Sequence, residues 1–544
     1  MKLLFVARHF TYFRNFESVV RQFAEKGHYV HLAAERDESL GGEALVDRLA
    51  KWSPLITVGH VPQRSDARWF SIATAIRRSI DHLWYSSSRY EGAPKIRARA
   101  WHRTPNIGVL LARLPGRAVI ERILDALDRA IPTDPALDTW IDELNPDVVL
   151  LTPLIELGTP QLDLLKSAHK QRKPTVLAVW SWDHLTSKAH IRQTPDRILV
   201  WNETQKQEAV TLHGVQPDRV VVTGAQCFDH WFNRRPSRMR ESFCEEMGLS
   251  IDQPFILYVC SALFRGTKPE ADFVLRWISA LRSSSDMQVQ DAGILIRPHP
   301  QRMSEWEGIN YPANVVFKGG HPIDDVGRDD YFDSLYYADA IVGLNTSALI
   351  EAAIVDKPVM TVLMPEFHDS QRGTIHFRYL LDSPTPFLHV AKNLNDQVIQ
   401  LGQVLAGSRT QKNEPFVQAF IRPAGLACPS TPTFVKAVEQ VAGIQPTMVR
   451  SQFIWRMLLH AWYASIDLLP VRWLMCRSQV EKEQRRAERI AEKQERIRAR
   501  EQERRTQVEA KMTRSRTKRR RQRMTHLKTV VRRVLTVGGR GGMH

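Results

Sequence analysis

Cysteine is scarce in this 544-residue chain: Cys227, Cys244, Cys260, Cys428 and Cys476 are scattered, odd in number and include no C-x-x-C pair. A disulfide framework and a cysteine-based zinc site are not expected on that ground, and a reducing compartment is favoured. No run of about 20 uninterrupted apolar residues occurs, so no membrane-spanning helix is expected. The apolar stretch 3–7 before Arg8 is too short for the core of a signal peptide and reads as a first β-strand. G-x-G-x-x-G is missing, which removes the dinucleotide fingerprint, and no D-x-D-like pair stands in a convincing setting, so neither a cofactor nor a metal is expected.

Negative charge is missing from one end. From Arg477 onward 23 Lys+Arg face 8 Glu, and past Thr513 there are no acids. The remaining 53 Lys+Arg and 51 Asp+Glu nearly balance, so the net charge of +17 belongs to a tail. Residues 477–512 read as one exposed helix with i,i+4 Glu-before-Arg pairs such as Glu481/Arg485 and Glu492/Arg496. A polybasic run of this kind binds phosphate-rich partners, an anionic membrane surface or nucleic acid, in a salt-sensitive way.

What is present is an α/β rhythm. Apolar runs at 3–7, 29–33, 148–151, 175–180, 198–201 and 220–222 read as strands, with amphipathic helices at 15–26, 160–170 and 203–213 between them. A second series follows at 255–260, 293–296, 340–344 and 387–390, with another strand after Lys357-Pro358. Residues 65–131 interrupt the first series with a helical insert. It carries 12 Lys+Arg against 6 Asp+Glu, and Trp69, Ile72, Ile76, Ile80 and Leu83 form a helical stripe with Arg77 and Arg78 on the other side. The stripe packs either on the core or on an anionic surface. The expected organisation is therefore 1–238 as a Rossmann-like domain with the insert, 239–415 as a second, 416–476 as C-terminal helices and 477–544 as the basic tail.

Polar clusters at strand ends are where open α/β sheets place ligands. Asn345-Thr346-Ser347 between strand and helix suits a phosphate or a plain helix cap, and Glu351 one turn later suits a sugar hydroxyl. Ser261 to Arg265 and Arg297-Pro298-His299 follow two other strands of the same domain. On the first domain, a base that deprotonates an acceptor hydroxyl belongs on a strand-end loop, where His9, Asp183 and His184 are the candidates.

The pieces FILYVCSALFR (255–265), IRPHP (296–300) and DSLYYADAIVGLNTSALIE (333–351) followed by Lys357-Pro358, with VTGAQCFD (222–229), occur in an order that resembles a known group. They are similar to the donor half of the GT-B glycosyltransferase fold, in particular its CDP-glycerol glycerophosphotransferase-like and UDP-N-acetylglucosamine 2-epimerase-like branches. The resemblance implies two Rossmann-like domains of α/β class with a donor pocket between them. It places Arg297 and His299 on the donor's phosphates, Thr346 and Ser347 at the helix start beneath them, and Glu351 on the ribose, with Ser261 and Arg265 at the same rim. The departures are Leu344-Asn345-Thr346-Ser347 in place of an acidic Asp-Tyr-Ser-Ser turn, and Ser347-Ala348 in place of a double glycine. They make epimerase activity the weaker expectation. The expected function is transfer of a sugar from a nucleotide-activated donor to a cell-surface polysaccharide or lipid-linked acceptor, in the cytoplasm or at the inner membrane face. The alternatives are a polyol-phosphate transferase, and a non-catalytic two-lobed scaffold whose tail binds anionic lipid or nucleic acid.

Overall fold

The computed structural model describes residues 1–37, 41–264, 266–320, 322, 325–408, 411–446 and 453–475. The expected tail helix and polybasic run at 477–544 therefore lie outside the described residues, as does Arg265.

Two parallel sheets follow one another along the chain. The first has seven strands in the order β3-β2-β1-β4-β5-β6-β7: β1 (Lys2–Ala7), β2 (Tyr29–Ala34), β3 (Ile56–His60), β4 (Val148–Thr152), β5 (Thr175–Ala178), β6 (Arg197–Val200) and β7 (Val220–Val222). The second has six in the order β10-β9-β8-β11-β12-β13: β8 (Phe255–Val259), β9 (Gly293–Arg297), β10 (Val315–Phe317), β11 (Ala340–Gly343), β12 (Val359–Val362) and β13 (Leu388–Ala391). Both reverse direction of growth after the third strand, which is the doubly wound Rossmann order. The fold class is accordingly α/β with two Rossmann-like domains. The central strands are apolar along their whole length because helices cover both faces; β4, β8, β9 and β11 are buried throughout.

β3 and β10 were not legible as strands. Each is an edge strand, and only Ile56 and Val315 among their residues are buried, so no apolar run marks them.

The insert is helical as expected, with helices Ala67–Tyr85, Pro94–Arg103, Asn106–Leu111 and Arg117–Ala130. Its apolar stripe is buried. Trp69, Ile72, Ile76, Ile80 and Leu83 form a cluster with Leu124 and with Leu459 and Ile466 of the C-terminal helices, and Trp69 stacks on Tyr463 at 4.9 Å. Arg77 departs from the expectation that it faces away from the stripe. It is 1% exposed, and donates to Asp128 Oδ1 (2.8 Å), Asp163 Oδ1 (2.6 Å) and the Thr159 carbonyl (3.0 Å). Paired carboxylates from two other helices make that burial tolerable, and they clamp the insert to the sheet-covering helix Gln161–Lys170.

Two segments tie the domains together. Helix Ser430–Val441, which follows the second domain in sequence, packs Phe434, Val435, Val438 and Val441 into the first-domain core beside Phe16. Asp229 accepts from Ser430 N (3.0 Å), Thr431 N (2.7 Å) and Arg422 (3.0 Å), fixing the crossover.

Candidate functional site in the interdomain cleft

In each sheet the point of reversal lies between two central strands, β1/β4 in the first and β8/β11 in the second. There the following loops diverge and leave a crevice at the carboxyl edge. The two crevices face one another: Glu17 of the first domain pairs with Arg328 of the second (3.5 Å), the Trp182 ring meets His376 edge-on at 4.7 Å, and Arg14 acts electrostatically on Glu351.

On the second-domain wall three loops are knitted to each other. Ser261, fully buried, accepts at Oγ from Asn345 N (3.1 Å) while its own N–H donates to Glu270 (2.8 Å), so the ends of β8 and β11 are held as one unit. The Asn345 amide reaches the Ser370 carbonyl on the loop after β12. Burial pushes the Glu270 carboxyl up to about 7, against the hydrogen bonds from Ser261 N–H and from the Tyr258 hydroxyl (3.0 Å). Of the alternatives for Thr346 and Ser347, a plain cap accounts for little. Thr346 Oγ1 accepts a long bond from Ala348 N (3.4 Å), and exposed Ser347, preceding helix Ala348–Ile354, makes no side-chain cap bond.

Glu351 lies one turn along and accepts from the Tyr331 hydroxyl at 2.5 Å. Burial raises its carboxyl above the usual range, opposed by Tyr331 and by Arg14. The Tyr331 ring lies under the Arg297 guanidinium at 5.4 Å, so Arg297, Tyr331 and Glu351 form a continuous line. Arg297 is mostly engaged inward: it is 5% exposed and donates to Asp330 Oδ2 (2.8 Å) and to Ser334, leaving Nη2 without a hydrogen-bond partner. Gly319, at φ +122°, is required beside it, since a Cβ there would come within 2.7 Å of the guanidinium. His299 sits on the loop after β9, its carbonyl accepting from Arg302 N (2.9 Å).

The three first-domain candidates are not equivalent. His184 is fully buried, with Nε2 on the Pro153 carbonyl (2.8 Å) and Nδ1 accepting from Trp180 N (3.4 Å); burial, then Lys188, push its pKa down to about 3. Both nitrogens being taken, it serves to hold loops together. Asp183 is bound by the hydroxyls of Ser181 (2.6 Å) and Ser187 (2.7 Å) and by Lys188 (2.8 Å). Burial would raise its carboxyl, but Lys188, His376 and Ser181 outweigh it and hold the group well below the usual range. His9 differs: half-buried at the end of β1, it stacks on Tyr12 at 6.0 Å and leaves Nδ1 without a partner. Burial and the adjacent Arg8 lower its pKa, which favours the neutral imidazole at physiological pH, and the unpartnered Nδ1 is itself buried.

Several residues of the cleft had no sequence signal beyond their closeness to strand ends. Tyr12 packs on Trp180 at 4.8 Å, Glu156 pairs with Arg8, and Glu35, at the end of β2, is pushed up to about 8 by burial and then by Glu156. Among the described residues no group of three or more His, Cys, Asp or Glu is disposed to hold a metal ion.

No family model matches the chain, and no curated protein matches it in sequence. Among solved structures it is similar to UDP-GlcNAc 2-epimerase from Methanocaldococcus jannaschii, with 11% identity, 81% of this chain and 100% of that chain covered, and a TM-score of 0.46. It is similar also to a glycosyltransferase from Rickettsia africae (12%, 86% and 99%, 0.42) and to MurG from Acinetobacter baumannii (14%, 81% and 99%, 0.40). The fold assignment rests on the strand order and pairing of the two sheets.

Proposed function

We propose that this two-Rossmann chain is a glycosyltransferase that uses a nucleotide-activated sugar. The observation that carries the reading is the opposition of two unlike crevices. One offers hydroxyls, amides and an arginine; the other offers His9, whose lowered pKa favours the neutral imidazole and whose buried Nδ1 has no hydrogen-bond partner. In the proposed reaction His9 takes the proton of an acceptor hydroxyl, and that oxygen bonds to the anomeric carbon. The carbon–oxygen bond to the donor's phosphate breaks, and its electron pair leaves with the nucleoside diphosphate. Thr346, Ser347, His299 and the unpartnered Arg297 Nη2 are assigned to the phosphates, where negative charge grows as the bond breaks. Glu351, already accepting from Tyr331, is assigned to the ribose hydroxyls. The test is a thermal-shift series with UDP, GDP, dTDP, CDP and CMP on the wild type and on Ser347→Ala. One nucleotide is expected to stabilise the wild type and to lose most of its effect in the variant; equal shifts in both would overturn the placement.

An anionic bilayer as a second partner is supported by a separate feature. Leu110, Leu114 and Val119 of the insert and Phe453, Ile454, Met457, Leu458, Leu469 and Trp473 of the C-terminal helices are all exposed. They share that region with Arg113, Arg117, Arg456 and Arg472, and the basic tail follows directly in sequence. No helix among the described residues is long and apolar enough to cross a membrane, so the proposed association is peripheral.

A further inference from the structure

The insert does more than cover the first domain. Its second helix, Pro94–Arg103, begins against the second domain. Ala93, Ile96 and Ala100 cluster with Trp84, Tyr85 and Tyr90 of the insert, and Phe264 and Ile375 of the second domain pack against them. Arg378, also of the second domain, donates to the Gly92 carbonyl at 3.4 Å. These contacts hold Lys95, on the first turn of the helix, over two second-domain loops. Between them lies a cavity of about 410 Å³, lined by Lys95, by Gly266, Thr267 and Lys268 on the loop after β8, and by Pro365, Glu366 and Asp369 on the segment after β12.

A cavity of that size suits a small molecule rather than a single ion. Its walls carry charged and hydroxyl groups and no aromatic or long aliphatic side chain, which fits a polyhydroxylated ligand and not a lipid tail. Carboxylates accept hydrogen bonds from the hydroxyls of a sugar ring, and Glu366 and Asp369 supply two. The charges around the cavity do not balance. Neither half-buried Lys95 nor exposed Lys268 has a hydrogen bond or ion pair among the described residues. Glu366 already accepts from Arg276, and Asp369 lies 3.7 Å from His368 Nδ1. Two lysines and Arg276 thus face two carboxylates, a surplus of one positive charge with His368 neutral. An acidic group entering between the two ammonium groups meets that surplus, and a compact lysine charge takes a carboxylate or a phosphate.

From this cavity between the insert and the second domain, we infer that the protein binds an acidic sugar unit, its carboxylate or phosphate between Lys95 and Lys268 and its hydroxyls on Glu366 and Asp369. The cavity borders the second-domain crevice, since Asp369 adjoins Ser370, whose carbonyl accepts from the Asn345 amide. Calling the bound unit a substrate sugar rests on the transferase reading, but the site stands on its own lining.

Saturation-transfer NMR titration of the full chain at fixed ionic strength tests this with glucuronate, glucose 6-phosphate, glucose and glucosamine. It compares the wild type, Lys95→Gln/Lys268→Gln and, as a control for lost charge, Lys51→Gln on the exposed side of helix Gly42–Trp52. At least one acidic sugar should bind roughly tenfold tighter than glucose, and the double variant should lose that margin while Lys51→Gln keeps it. Tighter binding of glucuronate assigns a carboxylate to the natural ligand, and tighter binding of glucose 6-phosphate a phosphate. No binding of either acid, equal binding of glucose, tighter binding of glucosamine, or a double variant within twofold of wild type would overturn the inference. If the margin behaves as expected while no nucleotide shifts the melting temperature, the sugar site holds and the transferase reading fails. If a nucleotide binds and the margin is absent, only the sugar site fails.

Discussion

Replacing Arg77 with methionine tests how the insert is held. The guanidinium bridges Asp128 and Asp163, each almost wholly buried, through contacts of 2.8 and 2.6 Å, and its 3.0 Å bond to Thr159 completes the clamp. Methionine fills much of the volume but leaves two carboxylates short of a cation. Asp163 keeps Arg64 at 2.9 Å, and Asp128 keeps the Gln193 amide at 2.9 Å. Removing one partner of a buried ion pair costs about 3–5 kcal/mol. For a domain of this size that corresponds to a melting shift of at least about 6 °C. The sign with pH is specific. Asp163 is held down to about 2, despite burial, chiefly by Arg77 and then Arg64, so its contribution is present above the unfolded carboxylate pKa and is lost as pH falls through about 2. In Arg77→Met the Asp163 pKa should rise, so the deficit should shrink as the medium is acidified toward pH 4. Adding Asp128→Asn and Asp163→Asn should recover much of the loss by removing the stranded charges. Differential scanning calorimetry between pH 4 and 8 reads all of this. A loss under about 1 kcal/mol, or a deficit independent of pH, would refute the clamp.

Three further outcomes are expected. His9→Gln should lower kcat by about 10²–10⁴ and remove the acid limb of the kcat/KM profile, which in the wild type should fall as pH drops through a value below 6.5. An unchanged limb would assign the base elsewhere. His184, with a folded pKa of about 3 against an ordinary 6.5, binds its proton more readily in the unfolded chain, so stability should decline as pH falls from 6.5 toward 3. The contribution is roughly 2 kcal/mol at pH 5, and His184→Gln should flatten that slope in denaturant titrations. Exposed Leu469 and Trp473 are expected to insert into anionic vesicles, and Leu469→Asp/Trp473→Asp should reduce cosedimentation roughly tenfold or more with the fold intact. Equal sedimentation would remove the bilayer from this face.

The central strands were legible because complete burial writes an unbroken apolar run into the sequence, as at Phe255–Val259 and Ala340–Gly343. The edge strands Ile56–His60 and Val315–Phe317 carry no such run, and the pairing that makes them strands comes from the neighbour. The polar clusters after β8, β9 and β11 could be read because each adjoins its strand in sequence. Their partners could not: Tyr331 reaches Glu351 from a preceding helix, and Arg14 arrives from the other domain. Arg77 looked like a solvent residue since its carboxylates lie 51 and 86 positions away. Of the three candidate bases, sequence position alone gave equal standing; burial and hydrogen bonding separate half-buried His9 from the committed Asp183 and His184.

The account turns on a sugar donor bound at the second-domain crevice, and the direct measurement is which nucleotide the protein releases from a panel of UDP-, GDP-, dTDP-, CMP- and CDP-activated donors. One nucleoside diphosphate should be released from its sugar conjugate by the wild type, and Ser347→Ala and His299→Ala should each slow that release roughly tenfold or more. Release of a nucleoside monophosphate from a CDP-polyol would contradict the glycosyl reading, and turnover of no donor, with both variants indistinguishable from wild type, would contradict the enzyme.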